Sequence, residues 1–141
     1  MAHPFNVLFL CTANSARSQM AEGLLRALAG DRIEVSSAGA QPATVNPLAI
    51  QVMGERGIDI GHHRSKHLDE FLTEPFDHVI TLCNSAAESC PLFPGPAKRV
   101  HWDLPDPAAV QGSEERRLAS FRQVRDDLEA RLQAWLETVP L

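Results

Sequence analysis

Val7-Leu8-Phe9-Leu10-Cys11-Thr12-Ala13-Asn14-Ser15-Ala16-Arg17-Ser18 is the stretch on which the reading of this chain turns. Val7–Leu10 is a short apolar run and reads as a buried strand. From Ser15 to Ala29 the residues Met20, Ala21, Leu24, Leu25 and Leu28 recur at helical spacing, and Gly30 is placed to end the helix. Between strand and helix, a thiol and a guanidinium bracket a loop of small residues. The backbone N–H groups of such a loop can turn inward as an anion cradle, and the helix that follows adds the positive end of its dipole. Arg17 supplies a planar, permanently charged fork suited to a tetrahedral oxyanion. The same positive field favours the thiolate form of Cys11. The strand before and the helix after give the motif its specificity. A buried cysteine at a strand end, with Arg17 on a helix surface, is the plainer alternative. The chemistry implied is attack by a thiolate on a phosphate-like oxyanion.

Outward from this stretch, strand and helix periods alternate. Ile33–Ser36 reads as a second strand running into the turn Ser37-Ala38-Gly39. Asn46-Pro47 has the form of a helix start, Asn as cap and Pro in the first turn, and that helix carries Leu48, Val52 and Met53 and stops at Gly57. A short helix covers Leu68–Leu72. Val79–Leu82 and Arg99–Trp102 are a third and a fourth strand, and Pro91–Pro96 is a loop. The last helix, Glu114–Thr138, places Leu118, Phe121, Val124, Leu128, Leu132 and Trp135 on one face. This alternation predicts an α/β fold with a parallel sheet covered on both faces. Ligands of such folds bind beyond the carboxyl ends of the strands, where the strand order switches. Cys11 lies just past its strand, in that position.

At 141 residues the chain is expected to form one domain with a real core. Its net charge of −5 argues against a general nucleic-acid binder. Any anion site must then be a local positive pocket on a negative surface. No stretch approaches the length of a membrane span. Val7–Leu10 is too short for a signal-peptide core and lacks a basic segment before it, so a cytoplasmic location is expected. In a reducing cytosol three cysteines are a working set rather than a static framework.

Cys83 follows the third strand as Cys11 follows the first. Neighbouring strands lie about 4.8 Å apart, so a bond between these two thiols would need little or modest movement. Cys90 is seven residues beyond Cys83, across Ser85-Ala86-Ala87-Glu88, which has the spacing of a capping box. A continuous helix would hold Cys83 and Cys90 about 10 Å apart along its axis. A disulfide between them therefore requires the segment to unwind, which so short a helix permits. A redox relay is one reading; two buried thiols, or half a zinc site without its partners, are the others. Asp103 and Asp106 lie after the fourth strand, and Pro107 biases Asp106 toward extended backbone, so Asp106 is the candidate general acid. Ser18 can donate to the thiolate. His62, His63 and His67 lack a third ligand nearby and read as solvated surface.

On these residues the chain resembles the thioredoxin-coupled arsenate reductases, relatives of the low-molecular-weight protein tyrosine phosphatases. The resemblance runs from Val7 to the last helix. Cys11-Thr12-Ala13-Asn14-Ser15-Ala16-Arg17-Ser18 and the helix to Gly23 are similar to the shared oxyanion loop. Thr81-Leu82-Cys83 and Cys90-Pro91 resemble the redox segment, and His101-Trp102 with Asp106-Pro107 resembles the acid loop. The resemblance implies a three-layer sandwich around a four-stranded parallel sheet, wound as in flavodoxin. It implies that Thr12, Ala13, Asn14, Ser15, Ala16, Arg17 and Ser18 bind arsenate, with phosphate or sulfate as analogues. Cys11 attacks and Asp106 protonates the leaving hydroxyl. Cys83 then attacks Cys11 to expel arsenite, and Cys90 resolves that bond, leaving Cys83–Cys90 for thioredoxin to reduce. No cofactor, resident metal, nucleic acid or membrane partner is implied.

Two departures from the family pattern stand out. Some members bind potassium beside the loop, and Asn14, Glu22 and Ser37 match that pattern, but Arg64-Ser65-Lys66 stands where a carboxylate is expected. The Lys66 ammonium can take the cation's place, so activity independent of potassium is expected. Ala16 stands where many relatives have a further cysteine. Two rival functions remain. One is a tyrosine phosphatase, against which the chain has no tyrosine and follows Asp106-Pro107 with Ala108-Ala109. The other is a non-catalytic oxyanion- or redox-sensing module.

Overall fold

The structure, a computed structural model, describes residues 5–84, 88 and 90–140. Strand β1 (Phe5–Cys11) leads through the small-residue loop into helix α1 (Arg17–Ala29), and β2 (Ile33–Gly39) follows. Helix α2 (Pro47–Gly54), β3 (His78–Thr81), β4 (Lys98–His101) and α3 (Glu114–Leu136) complete the fold. Short 3₁₀ turns lie at Leu68–Phe71 and Pro107–Ala109.

The four strands form one parallel sheet in the order β2-β1-β3-β4. β1 and β3 are neighbours, with Leu10 opposite Thr81 and the Leu82 N–H donating to the Leu10 carbonyl at 2.9 Å. The order therefore switches between them, and Cys11 and Cys83 stand at adjacent strand ends where a parallel sheet opens a crevice.

β1 is apolar without alternation because both of its faces are covered. Val7 and Phe9 face α1, α2 and α3 in a cluster with Met20, Leu24, Met53, Phe121 and Leu128. Leu8 and Leu10 face the other way, against Ala38, Phe76, Val79 and Phe93, with Leu68 and Phe71 of the 3₁₀ turn closing that side. The expected cap forms, with Asn46 accepting from the Leu48 N–H, and the structure adds a second at the start of α3, where Ser113 accepts from the Arg116 N–H. α1 starts at Arg17 rather than Ser15, because Ser15 and Ala16 belong to the loop. α2 ends at Gly54 rather than Gly57, since bonds from Gly57 N–H to Gly54 and from Ile58 N–H to Met53 tighten the chain into a turn. β3 and β4 each begin and end one residue earlier than their apolar runs suggest. Among the described residues no helix is long and apolar enough to cross a membrane.

Candidate active site

The loop after β1 is held from outside by its carbonyls. Thr12 O accepts from Gln41 N–H, Ala13 O from Ala43 N–H and the Ser65 hydroxyl, and Ser15 O from Asn46 N–H. In a trans peptide the N–H points opposite to the preceding C=O. The N–H groups of Ala13, Asn14 and Ala16 are thereby turned away from those partners, toward the interior of the loop. Asn14 makes the sharp turn at φ 48°, a conformation asparagine tolerates better than most residues.

Under the loop runs a buried polar chain. The Asn14 amide donates to Ser18 Oγ at 2.7 Å and to Ser37 Oγ at 3.0 Å, and Ser37 donates to Glu22 at 2.5 Å. The amide cannot be reversed, since Asn14 Oδ1 accepts from the Lys66 N–H and from Gln19. Because Ser18 Oγ already accepts from Asn14, its own hydrogen is free for Cys11 Sγ, 2.8 Å away. The hydroxyl that the sequence assigns to the thiolate is thus aimed at it, and Cys11 itself is 2 % exposed.

Arg17 is buried, and its guanidinium is anchored from behind by the carbonyls of Leu104 at 3.2 Å and Leu82 at 3.4 Å. Its remaining N–H groups face a cavity of about 210 Å³ lined by Cys11, Thr12, Ser15, Arg17, Glu88 and Asp106, with Ala43 and Ala108 among its apolar walls. Asp106 caps the 3₁₀ turn by accepting from the Ala108 N–H, which holds its carboxyl at this cavity. Cys11, Arg17 and Asp106 are therefore brought together as the sequence suggests. Ser18 and Asn14 lie behind the cavity wall rather than in it and orient its groups.

Cys83 and Cys90 are joined as a disulfide with their Cα atoms 5.6 Å apart, and Cys11 is a free thiol. That separation is about half of what a continuous helix over seven residues would impose. Cys83 is buried and Cys90 half-buried. The capping box at 85–88 rests on residues 85–87, which lie outside the described residues. Glu88, however, is described, and its role was missed in the sequence. Its carboxylate forks onto Arg17 at 2.5 and 2.8 Å, accepts from the Thr12 hydroxyl at 2.9 Å and takes the Asn84 N–H at 2.8 Å. The Arg17 hydrogen bond leads, with Asn84 and Thr12 adding to it, in holding this carboxyl down to about 2. Burial opposes the charge of Arg17, but the Glu88 bond and the nearby Cys11, Glu88 and Asp106 outweigh it and hold Arg17 above its ordinary value.

The potassium pattern does not fit a cation here. Glu22 is 3 % exposed, and its carboxylate meets Arg26 at 2.6 Å, His63 at 3.7 Å and the Lys66 ammonium at 3.8 Å. Lys66 is also tied to the Arg64 carbonyl at 2.9 Å, and burial pushes its pKa down. Side-chain cations already surround the carboxylate that a metal would need. His63 corrects the expectation of a solvated surface: its ring is packed inside, donating from Nδ1 to Gln19 Oε1 at 2.9 Å while Nε2 faces Arg26. Burial, above all, lowers its pKa. His62 is exposed, and His67 accepts from the Asp69 N–H as a cap.

A family model described as low molecular weight phosphotyrosine protein phosphatase matches residues 6–140. The chain is 46% identical over 132 residues to an arsenate reductase of Halalkalibacterium halodurans, covering 94% of this chain and 95% of that one. Among solved structures it is similar to an arsenate reductase in the phosphate binding state, with a TM-score of 0.82 and 33% identity over 96% of this chain and 99% of that chain. It is also similar to a thioredoxin-dependent arsenate reductase of Corynebacterium glutamicum, with a TM-score of 0.73 and 29% identity, covering 98% of this chain and 63% of that one. With its oxyanion loop, its sheet order and a match along nearly its whole length, this chain belongs to the low molecular weight phosphotyrosine protein phosphatase family.

Proposed function

We propose that this protein is an arsenate reductase that works through three cysteines and is returned to its dithiol form by thioredoxin. Residues 1–141 act as a single domain, in the cytoplasm and without a cofactor. The observation that carries this reading is the Cys83–Cys90 disulfide, formed beside the strand end that holds Cys11 as a free thiol. A phosphatase needs the loop and the acid but has no use for that bond.

Arsenate takes the N–H groups of the loop from Thr12 to Ser18 and the Arg17 fork. The Cys11 thiolate attacks arsenic and Asp106 protonates the departing hydroxyl, which leaves as water. The Cys83 thiolate then attacks Cys11 Sγ. The arsenic–sulfur bonding pair passes to arsenic, which is reduced from As(V) to As(III) as a Cys11–Cys83 disulfide forms. Cys90 attacks Cys83, frees Cys11 and leaves Cys83–Cys90. Cys90 is the half-buried end of that bond, so the incoming thioredoxin thiolate meets it first.

The test follows NADPH oxidation in a mixture of the reduced protein, arsenate, thioredoxin and thioredoxin reductase. Turnover dependent on arsenate is expected, falling by about two orders of magnitude or more in Cys83→Ser and Cys90→Ser. Aryl-phosphate hydrolysis without such turnover would instead make the protein a phosphatase. Binding of oxyanion with neither activity would make it a sensing module.

A further inference from the structure

Glu88 stands where a substrate should stand. Arg17 is pinned from behind by two carbonyls, so the outward half of its fork is what an incoming oxyanion can use. Glu88 takes that half with both carboxylate oxygens, and one of them also takes the hydroxyl of Thr12, the loop residue next to the nucleophile. Planar, bidentate and anionic, this carboxylate satisfies the donors that two oxygens of a phosphate-like anion would satisfy. It lines the same cavity of about 210 Å³ as Cys11 and Asp106, and only 16% of its side chain is exposed.

Glu88 is also tied to the redox state. It lies two residues before Cys90, and the disulfide brings the Cα of Cys90 to within 5.6 Å of that of Cys83. Asn84, the residue after Cys83, holds Glu88 twice, by its N–H to the carboxylate and by its carbonyl to the Glu88 N–H. The closed bond therefore joins Cys83 and Cys90, the two cysteines between which Glu88 lies in the chain.

We propose that Glu88 is an internal competitor for the oxyanion, placed on Arg17 when Cys83–Cys90 is closed and withdrawn when the bond is reduced. The oxidised protein then turns arsenate away while it has no resolving thiol to offer. Reduction by a dithiol, which delivers two electrons and two protons to give two thiols, reopens the cradle. The inference rests on the reductase reading for its purpose, but its binding claim stands apart from turnover. A carboxylate held down to about 2 remains charged across the neutral range, so the competition needs no pH change to operate.

Phosphate, which does not accept electrons, is the probe. Its affinity is measured by titration calorimetry on the full chain, oxidised and reduced, for wild type, Glu88→Gln and Glu88→Ala. Glutamine keeps the shape and loses the charge; alanine removes the competing group altogether. The expected result is that oxidised wild type binds phosphate at least about tenfold more weakly than reduced wild type, and that both variants recover this loss in the oxidised form. Equal affinities of oxidised wild type and both oxidised variants would overturn the competition. A gain of the same size in oxidised and reduced forms would overturn the link to the disulfide. Failure of the reductase reading shows elsewhere, as absent arsenate turnover with thioredoxin, and leaves these affinities as they are.

Discussion

Gly39, the last residue of β2, is the floor of the oxyanion loop. A Cβ built there would stand 2.6 Å from the Thr12 carbonyl oxygen and 2.8 Å from both the Cys11 carbonyl oxygen and the Asn14 nitrogen. All three are backbone atoms of the loop and cannot swing aside. Gly39→Ala is therefore expected to push the loop off its bed at a cost of about 1–3 kcal/mol in stability. The sharper readout is the active thiol: arsenate protects Cys11 from iodoacetamide in the wild type and loses most of that protection in the variant. Unchanged protection would show that the loop tolerates the displacement. Residues such as Cys11, Arg17 and Asp106 are legible in the sequence because each sits in a local pattern with a chemical meaning. Glu88 and His63 are not. Glu88 meets Arg17 across 71 positions and His63 meets Gln19 across 44, and no local spacing encodes such meetings. Locally, Glu88 has the look of a helix cap and His63 of a surface residue.

Helices α2 and α3 are tied together by one carboxylate. Glu55, which caps α2, receives Arg122 at 2.7 Å and Arg125 at 2.8 Å, and Arg125 also donates to the Val52 carbonyl. The hydrogen bond from Arg122, followed by that from Arg125, lowers Glu55 from 4.5 to about 2. A carboxyl depressed by folding adds stability that is fully present above its unfolded pKa and is lost as pH falls through the folded one. The contribution of Glu55 should thus fade between pH 4.5 and about 2. Thermal melts across that window are expected to show a steeper acid loss for the wild type than for Glu55→Gln, whose curve lacks this component. Parallel curves would mean that the clamp does not respond to acid. At this scale the sequence is readable where a helix announces itself. Asn46-Pro47 marks the start of α2 correctly because capping is local, and the apolar period places the start of α3 at Glu114. Ends are harder: α2 stops before Gly57 because the turn that follows is settled by bonds back to Met53 and Gly54, which periodicity does not reveal.

For the whole molecule, the decisive property is that β1 and β3 lie side by side, since this puts two strand-end cysteines at one crevice. The repeated strand-then-cysteine pattern hints at it, and the parallel arrangement follows from strands and helices alternating along the chain. What the pattern withholds is which elements cover which face. The three long helices share one side of the sheet, while a short turn and aromatic residues close the other. Ionic behaviour is also set at this scale, because the Glu22 cluster joins α1, β2 and the segment after α2. With Arg26, His63 and Lys66 around Glu22, melting temperature and arsenate turnover are expected to be the same in potassium chloride and sodium chloride at equal ionic strength. A rise specific to potassium would show that the cluster still takes the ion. A dissolved counter-ion is shared with the medium and thins out on dilution, whereas an ammonium on a covalent tether has a local concentration fixed by the tether's length. The protein carries that part of its surroundings with it, so moving it between hosts with different salt contents should leave the bed of the nucleophile unchanged.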